Sequence, residues 1–140
     1  MARSDGGFEL LEHTADLGIR AWGGSLPEAF EQAARGLAHV MGVRVPGPGT
    51  RRVVRLTADD SAGLLIAFLN ELLFIHETQA EGFVAVDVIG LSEDTLVAEV
   101  EVASQPERPV GVPVKAATDH EVAVERRPDG LVEVRVYVDV

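Results

Sequence analysis

A chain of 140 residues can bury one sizeable core, and one domain is the expectation at that length. It contains no cysteine, which excludes disulfide scaffolds, thiolate zinc sites and thiol nucleophiles. Its formal net charge of −11 argues against an independent nucleic-acid binder, because phosphate binding is driven by cations and counterion release; any RNA would be held by another protein.

Residues 1–7 are small and polar and read as a disordered tail ahead of a domain over 8–140. They lack the apolar run of a signal peptide, and the later stretch AGLLIAFLNELLFIH is interrupted by Asn70 and Glu71, so a soluble, cytoplasmic protein without a membrane span is expected. Leu17, Ile19 and Ala21 alternate with Gly18, Arg20 and Trp22, the pattern of a strand with one buried face. Ser25 and Glu28 make a capping box with Pro27 in the first turn, so a helix begins near Leu26. Its apolar stripe is Leu26, Ala29, Phe30, Ala33, Ala34, Leu37 and Met41, and Gly42 ends it before the VPGPGT loop.

RRVVRLTA then offers a strand, and Asp59 or Asp60 can cap a second helix carrying Leu64, Leu65, Phe68, Leu69, Leu72, Leu73 and Ile75. Beyond Gly82 the period changes from helical to two. FVAVDVIGL and TLVAEVEVA flank a turn at Ser92, Glu93 and Asp94, and HEVAVERRPDGLVEVRVYVDV repeats the hairpin grammar around Pro128-Asp129-Gly130. This order predicts an α+β fold in which two helices pack on a mixed, mostly antiparallel sheet.

No phosphate-loop spacing, no Gly-x-Ser-x-Gly elbow and no metalloprotease His pair is present. What stands out is a set of polar residues within apolar strands: His13 and Asp16, the segment VKAATDH ending at His120, and Asp139 beside the carboxylate of Val140. If Asp16, Asp139 and that carboxylate meet in the sheet, they present hard oxygen ligands suited to Ca²⁺ or Mg²⁺. Of the twelve basic side chains only Lys115 is a lysine, which marks it for inspection. Each of these residues also has a structural reading. Asp16 can satisfy turn amides, His13 can be a turn or core histidine, and Asp139 can be a solvated edge charge; Lys115 and His120 can be half-buried strand residues with wet tips. Phe30, Phe68 and Trp22 read as core or rim packing, because a base-stacking platform would need nearby positive charge.

The stretch HTADLGIRAWGGSLPEAFEQAARGL resembles the opening motif of the archease family, VPVKAATDH with a valine-rich hairpin ending in VDV resembles its closing motif, and LLIAFLNELLFIHE is similar to its second helix. The likeness runs in order from about Phe8 to Val140. It implies an α+β domain that assists the GTP-dependent ligase joining 2′,3′-cyclic-phosphate or 3′-phosphate RNA ends to 5′-hydroxyl ends in tRNA splicing and RNA repair. It implies a non-catalytic protein that promotes the ligase's guanylylation and multiple turnover, touching RNA only indirectly. A second implied role is chaperone-like modulation of a tRNA cytosine methyltransferase. By the same resemblance Asp16, Asp139 and the carboxylate of Val140 match metal-binding positions, and Lys115 matches a functional lysine. His13 and His120 belong to the motifs without an assigned role. Two departures are Asp119, where the family commonly has tyrosine, and ASQPERPVG, which is short and lacks a histidine often found there; no role carries over to either. A stand-alone Mg²⁺-dependent phosphohydrolase using Asp16, Asp139 and Lys115 is the alternative from another class.

Overall fold

The computed structural model describes residues 6–12, 16–105 and 107–140. Among them the chain runs β1 (Gly7–Glu12), β2 (Asp16–Gly23), α1 (Leu26–Met41), β3 (Thr50–Thr57), α2 (Ser61–Gln79), β4 (Glu81–Leu91), β5 (Thr95–Ser104), β6 (Ala116–Arg126) and β7 (Val132–Asp139). Residues 1–5 of the expected tail lie outside the described residues, and Gly7 is already in β1, paired with Trp22. Alternation does not announce β1, because Leu10 and Leu11 are adjacent and FELLE therefore lacks period two.

The fold is α+β, as the element order predicts, but the strands divide into two sheets, β1-β2-β7-β6 and β3-β5-β4. Each strand-to-strand pairing within them is antiparallel. The helices explain why one sheet does not suffice. Burial of α1 extends well beyond the expected stripe to Glu28, Glu31, Gln32, Gly36, Ala38 and Val40, leaving Arg35 and His39 exposed. A helix buried on most sides needs cover from two layers. Accordingly α1 contacts β1, β2 and β7 of one sheet and β4 of the other, while α2 contacts β6 of the first and β3 and β4 of the second.

Local signals place the helix ends. The Ser25 hydroxyl accepts from the Glu28 N–H at 3.3 Å, and the Glu28 carboxylate reaches back to the Gly24 N–H at 2.7 Å, one residue beyond the amide of a standard capping box. Gly42 closes α1 in the left-handed region at φ 70°. Asp60, rather than Asp59, caps α2 by accepting from the Gly63 N–H at 2.7 Å. All seven apolar residues expected along α2 are buried. By length and composition alone α2 is apolar enough to cross a membrane, so Asn70 and Glu71 do not remove it from that range; in the structure its apolar side chains join the core between the sheets.

The end of α2 falls on Ala80 at φ 54°. A Cβ in the left-handed region costs about 1–2 kcal/mol, and glycine's extra freedom when unfolded recovers only part of that. Ala80→Gly is therefore expected to stabilise the protein by on the order of 0.5–1 kcal/mol, a rise of roughly 2–4 °C in melting temperature. A thermal melt showing no rise would mean that the αL residue is relaxed by its surroundings.

Both anticipated hairpins form. Ser92–Asp94 joins β4 to β5, and Arg127 and Leu131 close the second turn through an N–H···O bond of 2.7 Å, with Gly130 at φ 90°. Along β7, Val132, Val134, Val136 and Val138 are buried, as the alternation requires.

Candidate functional site

Asp16 opens β2 and Asp139 closes β7, and the two are direct partners in the antiparallel register. They therefore share the outer face of the four-stranded sheet, with Cβ atoms about 4.5–5.5 Å apart as in any directly opposed pair. The carbonyl of Asp139 accepts from the Lys115 N–H at 2.8 Å, and Ala116 pairs with Asp139 in the register of β6 and β7. Three segments remote in sequence thus meet at one end of one sheet. Asp16 is half-buried, while Lys115, Asp139 and Val140 are exposed.

Like charges set directly opposite each other across a ladder repel, so this pair is unfavourable unless a cation offsets it. The two side chains offer only carboxylate oxygens, a chemistry that would suit a hard divalent cation such as Ca²⁺ or Mg²⁺ and not a thiophilic metal. Among the described residues no group of three or more His, Asp or Glu side chains gathers closely enough to hold a metal ion. The third carboxylate in the expected set is the main-chain group of Val140, adjacent to Asp139 in the chain. His13 lies outside the described residues.

The other polar candidates turn elsewhere. The His120 ring stands edge-on to Tyr137, centroids 6.2 Å apart, with Nε2 3.0 Å from the Glu121 carboxylate. Asp119 lines a cleft of about 450 Å³ with Asp59 and Asp60 at the start of α2. A second cleft, about 310 Å³, lies between α1 and β4 and is lined by Glu31, Gln32, Arg35, Arg44 and Val86 among others; it includes none of Asp16, Lys115 and Asp139. Phe30 and Phe68 are fully buried and stacked at 6.5 Å, so they are core, and Trp22 packs half-buried against Gly7.

Three further residues near the acid pair are not among the candidate site residues. Gly18 lies under Tyr137: a Cβ there would meet Tyr137 Cε1 at 2.7 Å and Leu11 Cβ at 2.9 Å, so the glycine is set by the close approach of the ring. Tyr137 shares the face of Asp139 yet is only 9 % exposed, because Gly18 lets it lie flat. Asn70, midway along α2, accepts from the Ala117 N–H at 2.8 Å and donates to the Ala117 carbonyl at 3.3 Å. Its signal exists in principle, since a polar amide inside an apolar helix stripe needs a hydrogen-bond partner.

Fold and site together define a class: an acidic α+β domain of two antiparallel sheets enclosing two helices, with an opposed aspartate pair and a lysine just ahead of the edge strand at one sheet end. The model of the archease protein family matches residues 8–140, and the chain belongs to that family. It is 40% identical over 131 residues to protein archease of Thermococcus gammatolerans, covering 88% of this chain and 91% of the relative. It is 28% identical over 141 residues to a protein archease-like of Dictyostelium discoideum, covering 95% and 93%. Among solved structures, Methanobacterium thermoautotrophicum protein 1598 superposes with a TM-score of 0.73 at 32% identity, covering 96% of this chain and 99% of that one. A Thermotoga maritima structure described as "an archease, possible chaperone" matches in fold at TM-score 0.65 and 18% identity, covering 94% and 96%.

Proposed function

We propose that this chain is a cytoplasmic, non-catalytic activator of the GTP-dependent tRNA-splicing and RNA-repair ligase, promoting its guanylylation and multiple turnover. The observation that carries the reading is the register that sets Asp16 against Asp139 and ties Lys115 to the same residue's carbonyl. Asp16, Asp139 and the carboxylate of Val140 would hold a divalent cation, Ca²⁺ or Mg²⁺. Such an ion supplies concentrated positive charge that offsets the three carboxylates. Lys115, exposed and held at its backbone, adds a mobile ammonium at the same end of the sheet. The ion and the ammonium together balance the three carboxylates, leaving a charge-neutral tip with an exposed ammonium on an acidic surface.

Charge complementarity gives that arrangement a use. A chain of net charge −11 is attracted to a basic RNA-binding enzyme and repelled by RNA, so it docks without competing for the substrate. Its tip can then approach nucleotide phosphates or acidic metal ligands of the ligase and favour the arrangement competent for guanylyl transfer, an effect of electrostatics and positioning. The exposure of Lys115 and Asp139 weighs against a phosphohydrolase, whose metal would face an enclosed pocket.

Multiple-turnover RNA ligation with GTP at catalytic ligase concentration tests this reading. Wild type should stimulate, and Asp16→Ala, Asp139→Ala and Lys115→Ala should each lose roughly tenfold or more, about 1.4 kcal/mol of barrier. Full stimulation by all three variants rejects the site, and none by the wild type with an active ligase rejects the activator reading. Phosphate release from nucleotides by the chain alone would favour the hydrolase. Stimulation confined to a tRNA cytosine methyltransferase would favour the chaperone-like role.

A further inference from the structure

Lys115 sits at the start of a poorly supported stretch of edge strand. Between Ser104, which ends β5, and Ala116, which opens β6, no strand is formed by the described residues. From there β6 pairs with β7 at Ala116, Ala117 and Thr118, and the register then breaks until Ala123, with Glu121 in the left-handed region at φ 53°. Three paired residues, open at both ends and lying at a sheet edge, would fray if nothing held their other side.

Asn70 holds that side. Its carboxamide presents an acceptor and a donor to the N–H and C=O of the same residue, Ala117, as a neighbouring strand would. Among the described residues it is the sole side chain from outside the sheet that hydrogen-bonds residues 115–118. The helix itself gains nothing from an asparagine flanked by buried Leu69, Leu72 and Leu73, where an apolar residue would pack without needing partners. What its amide secures is the strand two residues beyond Lys115, and through it the Lys115 N–H bond to the Asp139 carbonyl.

We infer that Asn70 is the positioning residue for Lys115, keeping its ammonium at the Asp16–Asp139 end of the sheet; this role rests on the activator reading above. Without Asn70, the 116–118 segment lifts from β7 and the ammonium samples a larger volume, so fewer encounters with the ligase present it correctly. Docking through the rest of the acidic surface is unchanged.

The test combines hydrogen exchange with ligation kinetics on the intact chain, at a temperature where circular dichroism shows every variant folded. For Asn70→Ala, exchange of the Lys115 and Ala117 amides should accelerate about tenfold or more while Ile19 and Ala21 in β2 are unaffected. Maximum ligase stimulation should fall about three- to tenfold with the half-saturating activator concentration unchanged. Asn70→Asp keeps the acceptor and loses the donor, so it should lie between, and it serves if the alanine variant does not fold. In a Lys115→Ala background, Asn70→Ala should cost nothing further, a coupling that a merely structural role would not produce. Retained stimulation by Asn70→Ala, or a loss that adds to that of Lys115→Ala, overturns the assignment while the activator reading stands. Failure of the wild type to stimulate an active ligase overturns both.

Discussion

Asp139→Asn is expected to melt at or slightly above the wild-type temperature in chelating buffer and clearly below it in excess Ca²⁺ or Mg²⁺. The first half follows from register alone. Asp16 and Asp139 are direct cross-strand partners, and removing one of two opposed like charges relieves a repulsion on the order of a few tenths of a kcal/mol. The second half follows from the proposed cation site. A ligand that binds only the folded chain stabilises it by about 2.7 kcal/mol at about a hundred times its dissociation constant. For a domain of this size that is a rise of roughly 5–10 °C, which the variant should largely forgo. Differential scanning calorimetry in the two buffers reads both halves at once. A wild type indifferent to either cation would remove the cation from the site, leaving the acid pair to act as bare charge; a variant that gains as much as the wild type would place the cation elsewhere.

Phe68→Ala should be strongly destabilising, as should truncation of its stacking partner Phe30. Phe68 is fully buried, and its ring stacks on Phe30 at 6.5 Å, where α1 meets α2 between the sheets. Emptying such a position costs about 3–5 kcal/mol, because the lost transfer energy is joined by a cavity that rigid neighbours cannot close. Against a total stability of about 5–15 kcal/mol this is a large share, and the melting temperature should fall by roughly 10–15 °C. Phe74, on the same helix, is 59% exposed, and Phe74→Ala should stay within about 0.5 kcal/mol of wild type. Comparable losses for the two would mean that the apolar face of Phe74 is covered in solution.

Much of the local architecture is legible in the sequence. The apolar spacing from Leu64 to Ile75 and the cap residues Ser25 and Asp60 define both helices, and the alternating valines of β7 define its buried face. The candidate residues Asp16, Lys115 and Asp139 are legible as polar exceptions in apolar runs. Their adjacency is not, because nothing near residue 16 records that β2 will lie beside β7. Asn70 reads in sequence only as an interruption of an apolar run, because its partner, Ala117, is forty-seven residues away.

Composition, charge and short-range periodicity are fixed by the sequence itself, so the lack of thiol chemistry, the acidic surface, the helix caps and the hairpin turns needed no tertiary information. Only tertiary structure decided that there are two sheets, that Asp16 faces Asp139, that Tyr137 lies over Gly18, and that a helix amide completes the edge of β6. The physical reason is range. Caps and turns are set by bonds between residues a few positions apart, whereas strand register and cross-element hydrogen bonds are chosen by the packing of the whole core.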